Sequence, residues 1–282
     1  MPVSACYLAL DVGVAKLSAA VVDENAEVLV RDRIATPARD VLAALTRLAR
    51  RVLAAAPSVP VGCGVGCAGP IDHVAGTVSP LHVPSLENVQ LAAEIEAATG
   101  LTTTVDLDAK AVAMAEAWVG AGVGLSDFVS LWIDSGIAGG IVSGGRLLEG
   151  RLGNAGNIGH LVVEPDGRPC ACGGRGCLEA YCGGRAIEEE TGRPPQRAPE
   201  SIVERTGIFV GRALASVGAV CDVRTAIIGG GVALGFGDAF FTAVQAELDQ
   251  RARLSFTDGF TVIPSALGQQ ATLIGAAALA RR

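Results

Sequence analysis

The 282-residue sequence lacks an excess of positive charge: 22 lysines and arginines stand against 29 aspartates and glutamates, for a net charge of −7. That balance excludes a protein that holds nucleic acid through a basic face. An unbroken apolar run is missing too. Residues 52–71 carry no charge, but Pro57, Pro60, Pro70 and several glycines interrupt them, and a lipid-exposed helix does not tolerate such breaks. Met1 to Leu10 shows no basic segment followed by an apolar core and a cleavage site. The expectation is a soluble, cytoplasmic chain with neither nucleic acid nor a membrane as partner. Lysine is nearly absent, with Lys16 and Lys110 the only two, so each is a candidate for a specific task. What is plentiful is apolar: 50% of the residues, with 37 glycines, enough buried surface to exclude a disordered chain. The length suits two ordinary domains or one large α/β unit.

Strands alternate with helices, which implies an α/β fold. Apolar runs flank the turn Asp11-Val-Gly-Val-Ala-Lys16, a third strand covers Glu27–Ile34, and residues 40–55 place apolar positions at helical spacing with arginines opposite. A strand over Val61–Gly66, helices over 90–99 and 108–119 and a strand over 101–107 follow. The strand–turn–strand pattern recurs at Asp134-Ser-Gly-Ile-Ala-Gly139, 123 residues later, and suggests a duplicated architecture with two facing lobes. Lobes are expected at 1–120 plus 266–282 and at 121–265. Glu188–Glu200 reads as a surface loop, 201–219 and 239–253 as helices, Thr225–Ile228 as a strand, and the Ala-rich end as a helix packing back on the first lobe.

Eight cysteines in a cytosolic chain do not suggest a disulfide framework. His160, Cys170, Cys172 and Cys177 form H-x9-C-x-C-x4-C across a loop, 160–177, that is rich in glycine. Thiolate and imidazole suit tetrahedral zinc, and four ligands make a closed structural site rather than a catalytic one. Cys182 is an alternative to His160 as ligand. Cys6, Cys63, Cys67 and Cys221 sit in apolar runs and read as core.

Glycine-rich turns present backbone amides to phosphates. Three occur, at 11–16, 134–140 and 229–231, and together they point to a nucleotide held between lobes, with Gly13, Ser135, Gly136, Gly229, Gly230 and Gly231 as its backbone contacts. Lys16 would meet a phosphate as a point charge, and Asp11 would orient the waters of a magnesium ion. Attack by a hydroxyl on a phosphoryl group needs a base. Asp106 and Asp108 follow a strand, and Asp108 opens the next helix, where cap and catalyst are equally served and the two roles coexist.

These residues carry a family resemblance. NAGNIGHLVVEPDGRPCACGGRGCLEAY resembles the signature of the ROK family (repressors, open reading frames and sugar kinases), and LALDVGVAK, GCAGPIDHVAGTV, LDAKAVAMAEAW, DSGIAGGIV, IIGGGV and LIGAAALA extend the likeness along nearly the whole chain. The resemblance implies an actin-like, ribonuclease H-like, two-lobed sugar-kinase fold with a duplicated hairpin core. It also implies ATP with magnesium, a sugar in the cleft, structural zinc and a homodimer. By position, Asp108 matches the base, His160 a histidine that binds zinc through one nitrogen and faces the sugar with the other, and Glu179 a carboxylate that accepts from sugar hydroxyls. No helix-turn-helix precedes residue 7, which disfavours the repressor branch.

The chain also departs from the family pattern. Val14 and Ala15 replace a glycine and a threonine in the first turn, and Asp134 replaces a glycine in the second, where a carboxylate repels polyphosphate. On the sugar side, Leu107, Lys110 and His82 stand for asparagines, and Asn157 for a glutamate. His82, Asn157 and Lys110 are therefore expected to contact an unusual substrate: an amino, acidic or cyclitol-like sugar. Lys110 opposes the helix dipole; it is either solvated or a partner for Asp108 or an anionic ligand. An active kinase is expected, with a non-catalytic sugar-binding or regulatory protein as the alternative.

Overall fold

A computed structural model describes residues 5–282. The first four residues of the leaderless stretch expected at Met1–Leu10 lie outside the described ones. In chain order the elements are β1 (Cys6–Val12), β2 (Lys16–Asp23), β3 (Val28–Ala35), α1 (Val41–Ala54), β4 (Cys63–Cys67), β5 (Ile71–Asp72), β6 (Thr77–Val78), α2 (Leu91–Thr99), β7 (Thr103–Leu107), α3 (Asp108–Val119), β8 (Phe128–Ile133), β9 (Ile137–Ser143), β10 (Arg146–Leu147), α4 (Glu179–Cys182), α5 (Gly184–Thr191), α6 (Glu200–Cys221), β11 (Thr225–Gly229), α7 (Gly231–Phe236), α8 (Asp238–Arg251), β12 (Thr261–Pro264) and α9 (Ala271–Ala280).

The chain up to Val119, together with Glu149–Ala155 and Gln270–Arg282, forms one compact unit. Its sheet runs β3-β2-β1-β4-β7, with β1–β3 antiparallel and β1, β4 and β7 parallel. Helix α1 buries Val41, Ala44, Leu45, Leu48, Ala49 and Val52 and leaves Arg47, Arg50 and Arg51 outside, as its periodicity requires. Helix α9 packs on α3, β1 and β4. The approach is close enough that a Cβ at Gly64 in β4 would lie 1.8 Å from the Ala276 carbonyl oxygen, so alanine on the helix and glycine on the strand are what permit it.

Gly120–Leu148 and Gly156–Gln269 form the second unit. Its sheet, β10-β9-β8-β11-β12, repeats the plan of the first: an antiparallel run of three strands, then two parallel additions to the hairpin's first strand. The recurrent glycine hairpin is thus the same element in each sheet. Helix α6 packs along α8, and Val210, Leu214, Phe240, Val244 and Leu248 join the sheet's Leu131 and Ile228 in one apolar core.

Two expectations change. The lobe boundaries gain a seven-residue exception, Glu149–Ala155, which folds with the first unit because Asn154 clamps the Ile71 backbone and Glu149 pairs with Lys110. The expected loop Glu188–Glu200 begins as helix: buried Ile187 holds α5 on the core through Thr191, with Glu188–Glu190 in its last turns. Helix α7 and strand β12 went unread because six and four residues are too few to show a period. Among the described residues no helix is long and apolar enough to cross a membrane.

Candidate functional site

In the first unit the parallel strands β1, β4 and β7 end in register, with Val12 opposite Cys67 and Cys67 opposite Leu107. Ligands of open α/β sheets gather at such carboxyl ends. Asp11 and Asp108 flank that row, and burial, with the charges of Asp108 and then Asp11, drives the Cys67 thiol far upward. Asp108 is half-buried and opens α3, its Oδ1 accepting the Ala109 N–H at 2.7 Å, so the helix start holds the carboxylate without burying it. Asp11 Oδ2 accepts the Thr272 hydroxyl at 3.1 Å, a partner 261 residues away that no local signal reveals. The first glycine turn closes through the Gly13 N–H on the Lys16 carbonyl at 3.0 Å. Thr36 braces it with Oγ1 on the Gly13 carbonyl at 2.8 Å, and Lys16 stands exposed at its end. His82 is half-buried in the loop after β6.

Lys110 is neither solvated nor paired with Asp108. It is fully buried, with Nζ 2.8 Å from Asp106 Oδ1, 2.5 Å from Glu149 Oε2 and 3.0 Å from the Gly153 carbonyl oxygen. Its ammonium has three donors, and all three point into the protein. The expectation that Lys110 contacts a ligand is corrected on that ground. Arg282 adds Nη2 at 2.8 Å from Glu149 Oε1, and His73, unread in the sequence, stands 3.8 Å from Asp106 Oδ1. Burial holds the Asp106 carboxyl above its usual range despite Lys110 beside it. At Glu149 the burial effect is outweighed by Lys110 and Arg282, which hold the carboxyl low.

In the second unit, Glu179 opens the short helix α4 and its Oε2 accepts the Ile137 N–H at 2.7 Å, directly beneath the second glycine turn. A Cβ at Gly136 would lie 2.7 Å from that oxygen, so the glycine is what lets the carboxylate reach the turn. Within the same turn the Asp134 N–H donates to the Gly136 carbonyl at 3.0 Å, and the Ser135 carbonyl accepts the Arg185 N–H at 3.1 Å. Asp134 is exposed, with Oδ1 in contact range of a Cβ on Gly231. Its carboxylate thus lies beside the third glycine turn. Gly229 and Gly230 have packing duties: a side chain on Gly229 would strike Trp132, and Gly230, at φ +99°, passes against the Ile133 carbonyl. The Asn157 carbonyl accepts the His160 N–H at 3.1 Å, in the 3-10 turn Ile158–His160.

His160, Cys170, Cys172 and Cys177 bring one ligand atom each within 4.8 Å of the others. Cys172 and Cys177 sulfurs lie 3.8 Å apart and Cys170 Sγ lies 3.7 Å from His160 Nδ1. A tetrahedral ion with zinc–sulfur bonds of about 2.3 Å spaces two sulfurs by ~3.8 Å, whereas a disulfide needs about 2.05 Å. The donor set therefore fits a zinc-sized ion and no disulfide. Burial, then the neighbouring thiols, push Cys177 up to about 12, so three thiolates can sit together only with a cation among them. His160 uses Nδ1 toward the sulfurs, which leaves Nε2 on the far edge of the ring. Cys182 is no ligand: it is wholly buried against the Thr206 carbonyl, and burial pushes it up to about 12. Cys221 is half-buried rather than core.

The ROK family model matches residues 7–282. The chain is 29% identical to the N-acetylmannosamine kinase of Escherichia fergusonii, over 97% of this chain and 98% of that protein. Its fold is similar to the ROK hexokinase of Thermus thermophilus, at a TM-score of 0.84 and 32% identity over 98% of both chains. It is also similar to a ROK family glucokinase of Streptomyces griseus, solved with glucose and AMPPNP, at a TM-score of 0.87 and 27% identity over 98% of this chain and 99% of that one. Those folds are actin-like and ribonuclease H-like, the class that the family resemblance implies. The chain belongs to the ROK family.

Proposed function

We propose that the protein is an ATP-dependent sugar kinase in which Asp108 is the general base. The observation that carries this reading is Asp108 itself, a half-buried carboxylate at the carboxyl end of parallel β7 and the start of α3. Its relatives include an N-acetylmannosamine kinase and a glucokinase solved with glucose and AMPPNP. In the reaction a sugar hydroxyl gives its proton to Asp108 as its oxygen bonds the γ-phosphorus, the bond from that phosphorus to the bridging oxygen breaks, and ADP leaves. Lys16 meets a phosphate, Asp11 orients waters of a magnesium ion, and the turns at Gly13, Ser135–Gly136 and Gly229–Gly231 offer backbone amides. Magnesium neutralises phosphate charge when bound.

His160 and Glu179 address sugar hydroxyls, with His82 and Asn157 as further contacts. The His160, Cys170, Cys172 and Cys177 set holds structural zinc, which fixes the loop presenting His160 Nε2. With Lys110 neutralised inside the protein, the cation that favoured an acidic sugar is gone, and a neutral hexose or N-acetylhexosamine fits better. The protein is cytoplasmic, dimeric and without a nucleic-acid partner.

A second reading, sugar binding without turnover, is favoured by Asp134, an exposed carboxylate in a turn expected to meet phosphate and beside the third such turn. Calorimetric titration with Mg-ATP separates the two. The kinase reading expects heat of binding at millimolar nucleotide; no heat at that concentration contradicts it.

A further inference from the structure

Lys110 is fully buried, and its position is costly: it gives up hydration, and its charge sits in the first turn of α3 against the dipole. Buried ion pairs contribute little net stability compared with apolar residues of the same volume, so such a cluster is better understood by what it joins. Asp106 lies in β7 and Lys110 in α3, so the pair straddles Asp108 at the junction of strand and helix. Glu149 and Gly153 belong to Glu149–Ala155, a strap whose neighbours in sequence on both sides fold with the other unit.

The strap has further ties to the first unit. Asn154 Oδ1 accepts the Ile71 N–H at 2.9 Å while its Nδ2 donates to the Ile71 carbonyl at 2.6 Å. The Leu152 carbonyl accepts the His73 N–H at 3.1 Å, and Arg282 holds the second Glu149 oxygen. Of these ties, only those made by Lys110 connect the strap directly to the first turn of α3. A methionine at 110 would fill the space and join nothing.

We infer that Lys110 is a positioning residue: its ammonium, shared by Asp106, Glu149 and the Gly153 carbonyl, clamps the Glu149–Ala155 strap to the junction that carries Asp108 and so fixes where that carboxylate stands. The inference rests on Asp108 being the base. Misplacing a catalytic group by about 1 Å costs on the order of 100-fold in rate, without requiring a change in how tightly substrate binds.

Lys110→Met alone strands the buried Asp106 carboxylate and invites unfolding, so the test uses the triple variant D106N/K110M/E149Q and the milder Glu149→Gln, with Asp108→Asn in parallel. Each is assayed with Mg-ATP and with glucose or N-acetylmannosamine, and amide exchange is followed at Ala155, whose N–H donates to the Glu149 carbonyl at 3.1 Å. The clamp predicts that the folded triple variant loses ~10- to 100-fold in kcat with sugar KM within about threefold, and that Glu149→Gln shows a smaller loss of the same kind. Exchange at Ala155 quickens in both. Parental kcat in Glu149→Gln and in the triple variant, with or without faster exchange, overturns the inference while leaving the base intact if Asp108→Asn is inactive. Parental turnover in Asp108→Asn instead removes the base and the inference with it.

Discussion

The two units secure their functional loops with different chemistry. In the first, the strap Glu149–Ala155 is held beside Asp108 by buried charge: Lys110 between Asp106 and Glu149, with Arg282 behind. In the second, the loop leading from His160 is gathered by four soft donors and then clamped again. Arg168, two residues before Cys170, donates its N–H to the Tyr181 hydroxyl at 2.8 Å, lays its guanidinium 4.7 Å from that ring's centroid and pairs with Glu190, which Arg205 also grips. An ion cluster centred on a buried lysine and a buried aspartate fails badly when either is removed. A metal site is removable, and a loop with a second clamp survives its loss in part. The difference teaches that the first unit is built for fixity and the second for a loop with graded support.

Removing the first unit's cation is the harshest way to break that contrast. Lys110→Ala leaves buried Asp106 without its hydrogen-bonded cation, leaves Glu149 to Arg282 alone and opens a cavity, and is expected to cost about 3–5 kcal/mol, measured by urea denaturation. A cost under about 1 kcal/mol would mean that the carboxylates find water, and that the cluster is not closed.

Metal removal comes next. Metal analysis should find about one zinc per chain, and at zinc a hundredfold above its Kd the ion contributes about 2.7 kcal/mol. Chelation is therefore expected to lower the melting temperature by several degrees while far-UV dichroism holds, because the Arg168–Tyr181–Glu190 clamp persists. Loss of the whole second unit on chelation would show that the metal, not the clamp, carries the loop.

The smallest effect is at Glu190. Hydrogen bonds from Arg205 and then Arg168 hold its carboxyl far below the usual range. A depressed carboxyl contributes stability that is complete above its unfolded value, near 4.3, and that is lost as pH falls toward the folded one. Glu190→Gln is expected to cost about 1–2 kcal/mol at neutral pH, with the gap to the parent closing below about pH 4 in thermal melts. A gap that does not close would assign the loss to packing rather than charge.

What the sequence made legible was local. Three cysteines within eight residues of a glycine-rich loop, and a histidine ten residues upstream, announce a ligand set because the loop itself supplies the convergence. The hairpin pair was visible for the same reason, since each is one strand, one turn and one strand. Lys110 was conspicuous as one of two lysines, yet its partners lie outside any local window: Glu149 is 39 residues away, and Arg282 is 133 beyond Glu149. Asp11 and Thr272 are joined only because α9 returns to the first sheet. The glycines at 229 and 230 illustrate the opposite error, in which a motif read for its ligand also has a packing cause that only the third dimension shows.

The central claim is that Asp108 takes the proton of a sugar hydroxyl during transfer from ATP. Its most direct test is transfer of labelled γ-phosphate to glucose or N-acetylmannosamine by the parent and by Asp108→Asn, with sugar affinity measured alongside. Labelled sugar phosphate from the parent, a loss of ~10³-fold or more in kcat for the variant and sugar Kd within about threefold are the predicted result. Equal turnover by the two proteins would contradict it.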